Sequence, residues 1–155
     1  MRFTLDSNIL VYSADGRDPT RQETALLIMS RASLSDCILV PQALSEFFYA
    51  VTRKAIMPRS IAADQVRDWL RLFPITPGAS ADALRSALDP AVTGRFQFYD
   101  ALLLATARGA GCSVVISEDM TDGAELDGLR IIAAFAPDGR ISPGAEALLP
   151  AAAPG

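Results

Sequence analysis

The sequence contains no histidine. That absence removes every mechanism built on an imidazole base, including Ser/His/Asp and Cys/His nucleophilic catalysis. An enzyme of this composition must activate its nucleophile with carboxylates or a metal. Cysteine is scarce too. Cys37 and Cys112 stand far apart, each at the entrance to an apolar β-like run, with no CxxC pair and no histidine to complete a zinc site. Both read as buried, reduced thiols of a cytosolic protein. Long hydrophobic runs are also missing. The run at 101–107 falls far short of the roughly 20 residues that span a bilayer. No basic stretch followed by an apolar one opens the chain. The expectation is a soluble, unexported, cytoplasmic protein with no membrane contact. Lys54 is the only lysine.

What is present fits one compact unit, since 155 residues, half of them hydrophobic, suffice for a single core and are too few for two. The net charge of -4 runs against the basic surplus expected of a phosphate-binding protein. The excess is local in origin, however. Apart from Asp6, Glu46, Asp100 and Asp119, the chain has 14 acidic and 14 basic residues.

Residues 2–5 read as a strand that ends at Asp6-Ser7-Asn8, residues that favour turns and helix N-caps, and so places Asp6 at the strand's C-terminal tip. Asp18-Pro19 is an N-cap followed by proline at the first helical position, opening a helix to about residue 32. Residues 37–40 form a short apolar strand closed by Pro41. Leu44, Phe47, Phe48 and Val51 then follow helical spacing, with Glu46 in the second turn. A further helix is expected over 60–73, a very short strand within 74–77, and a helix capped by Ser80 and reaching residue 88. The helix at 97–108 carries Asp100 near its start and stops at Gly109 and Gly111. Residues 113–116 form a β-branched strand leading into Ser117-Glu118-Asp119, and a last strand is expected at 129–133 after a polar loop. Beyond residue 135 the chain is rich in Pro, Gly and Ala. The expected organisation is therefore a folded domain over 1–135 and a poorly ordered tail over 136–155.

Strands alternating with helices predict an α/β fold with a mainly parallel sheet covered on both faces. Ligands of such sheets bind outside the carboxyl ends of the strands, where Asp6 and Asp119 fall. Taken singly, each acid has a structural explanation. Asp6 fits a helix N-cap, Asp100 a charge at a helix N-terminus, Asp119 a turn, and Glu46 a solvated helix position. Asp100 and Glu46 fit these less well, because both lie in strongly apolar segments. A buried carboxylate there must either hold a proton or find a cation, and neither segment offers a lysine or histidine. All-oxygen donors select a hard ion, Mg²⁺ or Mn²⁺, which uses one or two direct carboxylates and keeps several waters. Such a site suits phosphodiester hydrolysis by a metal-activated water.

Four segments carry a resemblance to a known family. They are Leu5-Asp6-Ser7-Asn8-Ile9-Leu10-Val11-Tyr12, Gln42-Ala43-Leu44-Ser45-Glu46-Phe47, Tyr99-Asp100-Ala101-Leu102-Leu103-Leu104-Ala105 and Ser117-Glu118-Asp119-Met120 with Asp122-Gly123. In this order they resemble the PIN-domain ribonucleases, and among them the VapC-type toxins of bacterial type II toxin-antitoxin pairs. The resemblance covers roughly residues 2–133. It implies a three-layer α/β/α sandwich, Mg²⁺- or Mn²⁺-dependent RNA cleavage, a homodimer and inhibition by a cognate antitoxin. It further implies Asp6 and Asp100 as principal metal ligands, Glu46 and Asp119 as the rest of the acidic pocket, with Asp119 a further metal ligand, and Asn8 and Ser117 as supporting polar residues.

Two other functions compete. A haloacid-dehalogenase-like phosphatase also begins with a strand-tip aspartate, but wants a second Asp where Asn8 stands. A PIN-like module could instead grip RNA or protein without cutting, though a pure binder has no use for a costly acidic cluster. Elsewhere, Arg95 reads as a solvated loop residue more than a phosphate contact, and Arg53 and Lys54 as cations favoured at a helix C-terminus. Trp69 reads as core or a subunit contact, and Asp122 as a turn residue.

Overall fold

A computed structural model describes residues 1–151. The elements run β1 (Phe3–Leu5), α1 (Ser7–Ala14), α2 (Pro19–Ala32), β2 (Cys37–Ile38), α3 (Pro41–Arg53), α4 (Arg59–Leu72), α5 (Ala81–Val92), α6 (Phe98–Gly109), β3 (Val114–Ser117), β4 (Glu125–Leu126), β5 (Leu129–Ala133) and α7 (Pro143–Leu148). Strand order in the sheet is β2-β1-β3-β5-β4, parallel throughout except for the edge strand β4. From β1 the chain crosses to β2 on one side and then returns past β1 to β3 on the other. Right-handed crossovers in opposite directions place their helices on opposite faces, and the result is the expected α/β/α sandwich around a mainly parallel sheet. The strand residues Phe3, Leu5, Val115, Ile116 and Ile131 are nearly or wholly buried, as a sheet covered on both faces requires.

The helix starts follow local chemistry. Asp18 and Ser80 accept hydrogen bonds from the backbone N–H of Arg21 and Ala83, and Pro19 and Pro41 occupy first helical positions. Trp69 is core: its ring meets Phe47 edge to face at 4.6 Å and pins α4 to α3. Leu39 and Ile75 form one parallel bridge where a short strand was expected within 74–77. Cys37 and Cys112 are free and buried, and burial pushes both thiols up, Cys112 to about 11. Among the described residues, no helix is long and apolar enough to cross a membrane.

Two local expectations need correction. The polar loop before the last strand contains β4, joined to β5 by Asp127-Gly128, both with positive φ (50° and 86°). A two-residue turn with both φ positive matches the twist of a hairpin, and glycine makes its second position inexpensive. The second correction concerns the segment after residue 135, which is ordered through its described part. Ser142 caps α7, and Ala145 and Leu149 are buried. Arg31 of α2, itself 5% exposed, donates to the backbone carbonyls of Leu149 and Pro150 and to the Glu146 carboxylate. A Cβ on Gly144 would lie 2.9 Å from Ile132, so only glycine lets α7 approach β5 this closely. Composition pointed to disorder; a few apolar anchors and a buried arginine needing carbonyl partners hold the segment down. The expectation for residues 152–155 lies outside the described residues.

Candidate active site

Asp6 sits where β1 ends and α1 begins. Its backbone N–H donates to Ile116 of β3 at 2.9 Å, and its Oδ1 accepts from the Ser7 N–H at 2.7 Å. The neighbouring strand tip supplies Ser117, fully buried, whose hydroxyl lies 2.8 Å from Asp6 Oδ2 and 3.2 Å from Asp119 Oδ1. A hydroxyl has one proton to give, so Ser117 can serve one carboxylate at a time. Asn8 supports the other: its amide donates to Asp119 Oδ1 at 2.9 Å and lies 3.4 Å from Asp6 Oδ2. The Asn8 carbonyl accepts from the Glu118 N–H at 3.3 Å, which fixes which end of the amide faces the acids.

Glu46 arrives from α3. Ser7 Oγ donates to Glu46 Oε2 at 2.7 Å, and Gln42, one helical turn earlier, donates to Oε1 at 2.6 Å. Gln42 also reaches the Tyr99 carbonyl at 2.8 Å, tying α3 to the first turn of α6, where Asp100 lies. Asp6, Glu46, Asp100 and Asp119 line one cavity of about 640 Å³ at the carboxyl end of the sheet. The structure thus brings together all four predicted acids, with Asn8 and Ser117 beneath them.

The electrostatics of this cavity are those of uncompensated negative charge. Burial is the main reason the Asp6 carboxyl is pushed up to about 7, and the Asp119 and Asp100 charges add to it against the stabilising hydrogen bonds from Ser117 and Ser7. Asp100 is pushed up to about 6, again chiefly by burial, then by Asp119 and Glu46. The α6 N-terminus favours an anion at Asp100, yet burial and like charge outweigh it. Among the described residues, no Lys or Arg forms an ion pair with any of the four acids.

Sequence reasoning missed several contributors. Ser7 and Gln42 orient Glu46, and Tyr49, Gln97 and Tyr99 share the cavity wall. The i, i+4 relation of Gln42 to Glu46 was readable on a helix; the other contacts join segments distant in the chain. Arg95 lies away from the acids, donating to the Glu125 carbonyl of β4 and covering the Phe96 ring. Asp122 accepts from the Ala133 N–H at 2.8 Å and serves the loop before β4.

The PIN domain model matches residues 3–121. A search of curated proteins finds no match. Among solved structures, the chain superposes on a chain of VapBC2 from Rickettsia felis bound to a DNA fragment from its promoter, with TM-score 0.63, 13% identity, and coverage of 86% of this chain and 98% of that one. It also superposes on a chain of a toxin-antitoxin complex from Klebsiella pneumoniae (TM-score 0.59, 18% identity, 83% and 94% covered). A third match is VapC20 from Mycobacterium tuberculosis, described as a toxin that cleaves the sarcin-ricin loop (TM-score 0.59, 19% identity, 83% and 98% covered). At such identities these likenesses establish the fold, and the family match over most of the chain establishes descent: the protein belongs to the PIN domain family.

Proposed function

We propose that this protein is a divalent-metal-dependent endoribonuclease acting as the VapC-type toxin of a toxin-antitoxin pair. The observation that carries the reading is the convergence of four carboxylates on one cavity with no cationic side chain to balance them. Such a cluster is costly to a fold unless a cation enters it.

The donor set fits Mg²⁺ or Mn²⁺. Every candidate ligand is an oxygen, and burial and neighbouring carboxylates hold two of the acids above their ordinary range. Among the described residues, no three acidic side chains converge tightly enough to chelate an ion on their own. A hydrated Mg²⁺ takes one or two direct carboxylates and reaches others through water. Asp6 and Asp100 would hold the ion, with Asp119 a further ligand through water. When bound, the ion supplies a water of lowered pKa and offsets negative charge developing on the scissile phosphate.

The chain's own residues do the positioning. Ser117 and Asn8 hydrogen-bond the Asp6 and Asp119 oxygens, which orients those carboxylates. Ser7 and Gln42 hold both Glu46 oxygens, leaving its outward lone pairs to orient the attacking water and take its proton. A cytoplasmic homodimer inhibited by a cognate antitoxin completes the reading.

The deciding experiment is cleavage of RNA by highly purified protein in Mg²⁺, in Mn²⁺ and in EDTA, beside Asp6→Asn and Asp100→Asn. Cleavage that needs the ion and vanishes in both folded variants supports the proposal; cleavage that survives in the variants refutes it. RNA binding without any cleavage in either ion would make the protein a PIN-like binding module instead.

A further inference from the structure

The rim of the acidic cavity carries an unexpected pair of aromatics. Two of the chain's three tyrosines, Tyr49 of α3 and Tyr99 of α6, line its wall, and they are 62% and 64% exposed. Neither ring is needed by the core. Each is braced at one edge or face: Phe98 meets Tyr99 edge to face at 5.2 Å, and the Arg53 guanidinium covers Tyr49 at 5.7 Å. Gln42 fixes the backbone of Tyr99 relative to α3. The rings are therefore supported, large and left mostly open to solvent.

The α3 stripe that carries Tyr49 has a chemical order. Gln42, Glu46, Tyr49 and Arg53 follow at spacings of four, three and four, so they share one helix face. The acid thus lies beside the cavity, the aromatic one turn on, and the cation about 10 Å from Glu46 along the axis. Among the described residues Arg53 makes no ion pair. The other flank of α3 differs: Leu44, Phe48, Val66 and Leu70 form an apolar groove with α4. The tyrosine face is instead polar and charged, as a nucleic-acid surface is.

We infer that Tyr49 and Tyr99 are stacking platforms for two unpaired bases flanking the scissile phosphate, with Arg53 holding a neighbouring phosphate. The inference rests on the RNA-cleaving reading of the same cavity. Unpaired bases expose both π faces to such rings, whereas bases in an A-form duplex are stacked on one another and their deep groove admits no side chain. Arg53 covers a ring and reaches solvent at once, which suits a guanidinium that both stacks and binds phosphate.

The test measures fluorescence anisotropy of a labelled 12-nucleotide single-stranded RNA and its duplex in Ca²⁺ buffer, with RNA integrity checked on a gel. The same proteins are then assayed for kcat and KM on the single strand in Mg²⁺ or Mn²⁺. Wild type should prefer the single strand. Tyr49→Ala and Tyr99→Ala should each weaken its binding by about 5- to 150-fold, the worth of one stacked base, and raise KM more than they lower kcat. Tyr49→Phe and Tyr99→Phe should bind as wild type does. Arg53→Gln should flatten the slope of log affinity against log salt by about 0.7, one phosphate on a single strand. Unchanged binding and KM in both alanine variants, or equal affinity of wild type for duplex, would each overturn the inference. Failure of the two readings is distinguishable. Cleavage that ignores the tyrosines removes the platform and leaves the nuclease, while tyrosine-dependent binding without cleavage removes the nuclease and leaves the platform.

Discussion

Replacing Asp6 by Asn should stabilise the metal-free protein at pH 8 while destroying its capacity to hold the ion. Asp6 is 3% exposed and its carboxyl is pushed from an ordinary 3.8 to about 7. Between these two values the folded protein keeps a proton that the unfolded chain has lost, so stability falls as pH rises through this window. Above pH 7 ionised Asp6 costs the fold about 4 kcal/mol, at about 1.4 kcal/mol for each tenfold change. Asparagine keeps the shape and the Oδ1 acceptor for the Ser7 N–H, but presents an amide where Oδ2 now faces Ser117 and Asn8. The Ser117 hydroxyl can turn to Asp119, and the remaining mismatch costs about 1–2 kcal/mol. The net gain at pH 8 is about 2–3 kcal/mol, or about 4–12 °C in Tm for a domain of this size. At pH 4, with Asp6 protonated in the fold, the gain should vanish and the variant should be about 1–2 kcal/mol less stable than the wild type. Thermal unfolding followed by circular dichroism in EDTA at pH 4, 6 and 8 reads this directly. A variant destabilised equally at all three pH values would refute the claim that Asp6 is an uncompensated buried charge.

Three further outcomes follow from the same geometry. Mn²⁺ or Mg²⁺ should raise the Tm of the wild type more at pH 8 than at pH 5, because ionised carboxylates bind the ion and protonated ones do not; a pH-independent shift in differential scanning fluorimetry would count against the four acids as its site. Ser7→Ala with Gln42→Ala should free Glu46 and lower kcat by about 10- to 100-fold with Tm little altered, in single-turnover assays on RNA. Arg31→Met should loosen α7 and cost about 2–4 kcal/mol in urea unfolding, since two backbone carbonyls and Glu146 lose their donor; hydrogen exchange should speed up in residues 143–149 and stay unchanged at Asp6.

The division between what the chain spells out locally and what folding adds is visible in particular residues. The helix starts at Asp18-Pro19, Pro41 and Ser80 were legible because caps and proline act within one turn. The strands were legible from their apolar runs, and Asp6 and Asp119 could be placed at strand tips from the sequence order alone. The Asp127-Gly128 hairpin is also written locally, in a two-residue turn whose second position is glycine. The ordered end of the chain was not so written. Its anchors are Arg31 and Ile132, remote in sequence and invisible to composition.

By itself the sequence determined the chemistry available to this protein: no imidazole, one lysine and four carboxylates in a recognisable order, so that only carboxylates, or an ion that they hold, are at hand to activate a nucleophile. Tertiary structure decided how those carboxylates meet. It laid β1 beside β3 so that one serine hydroxyl stands between Asp6 and Asp119, brought Ser7 and Gln42 to Glu46 from either side, and set two open tyrosines at the rim. Residue types and helical spacing are properties of short segments, whereas the burial and mutual repulsion that raise Asp6 and Asp100 arise only when segments distant in the chain close on one cavity.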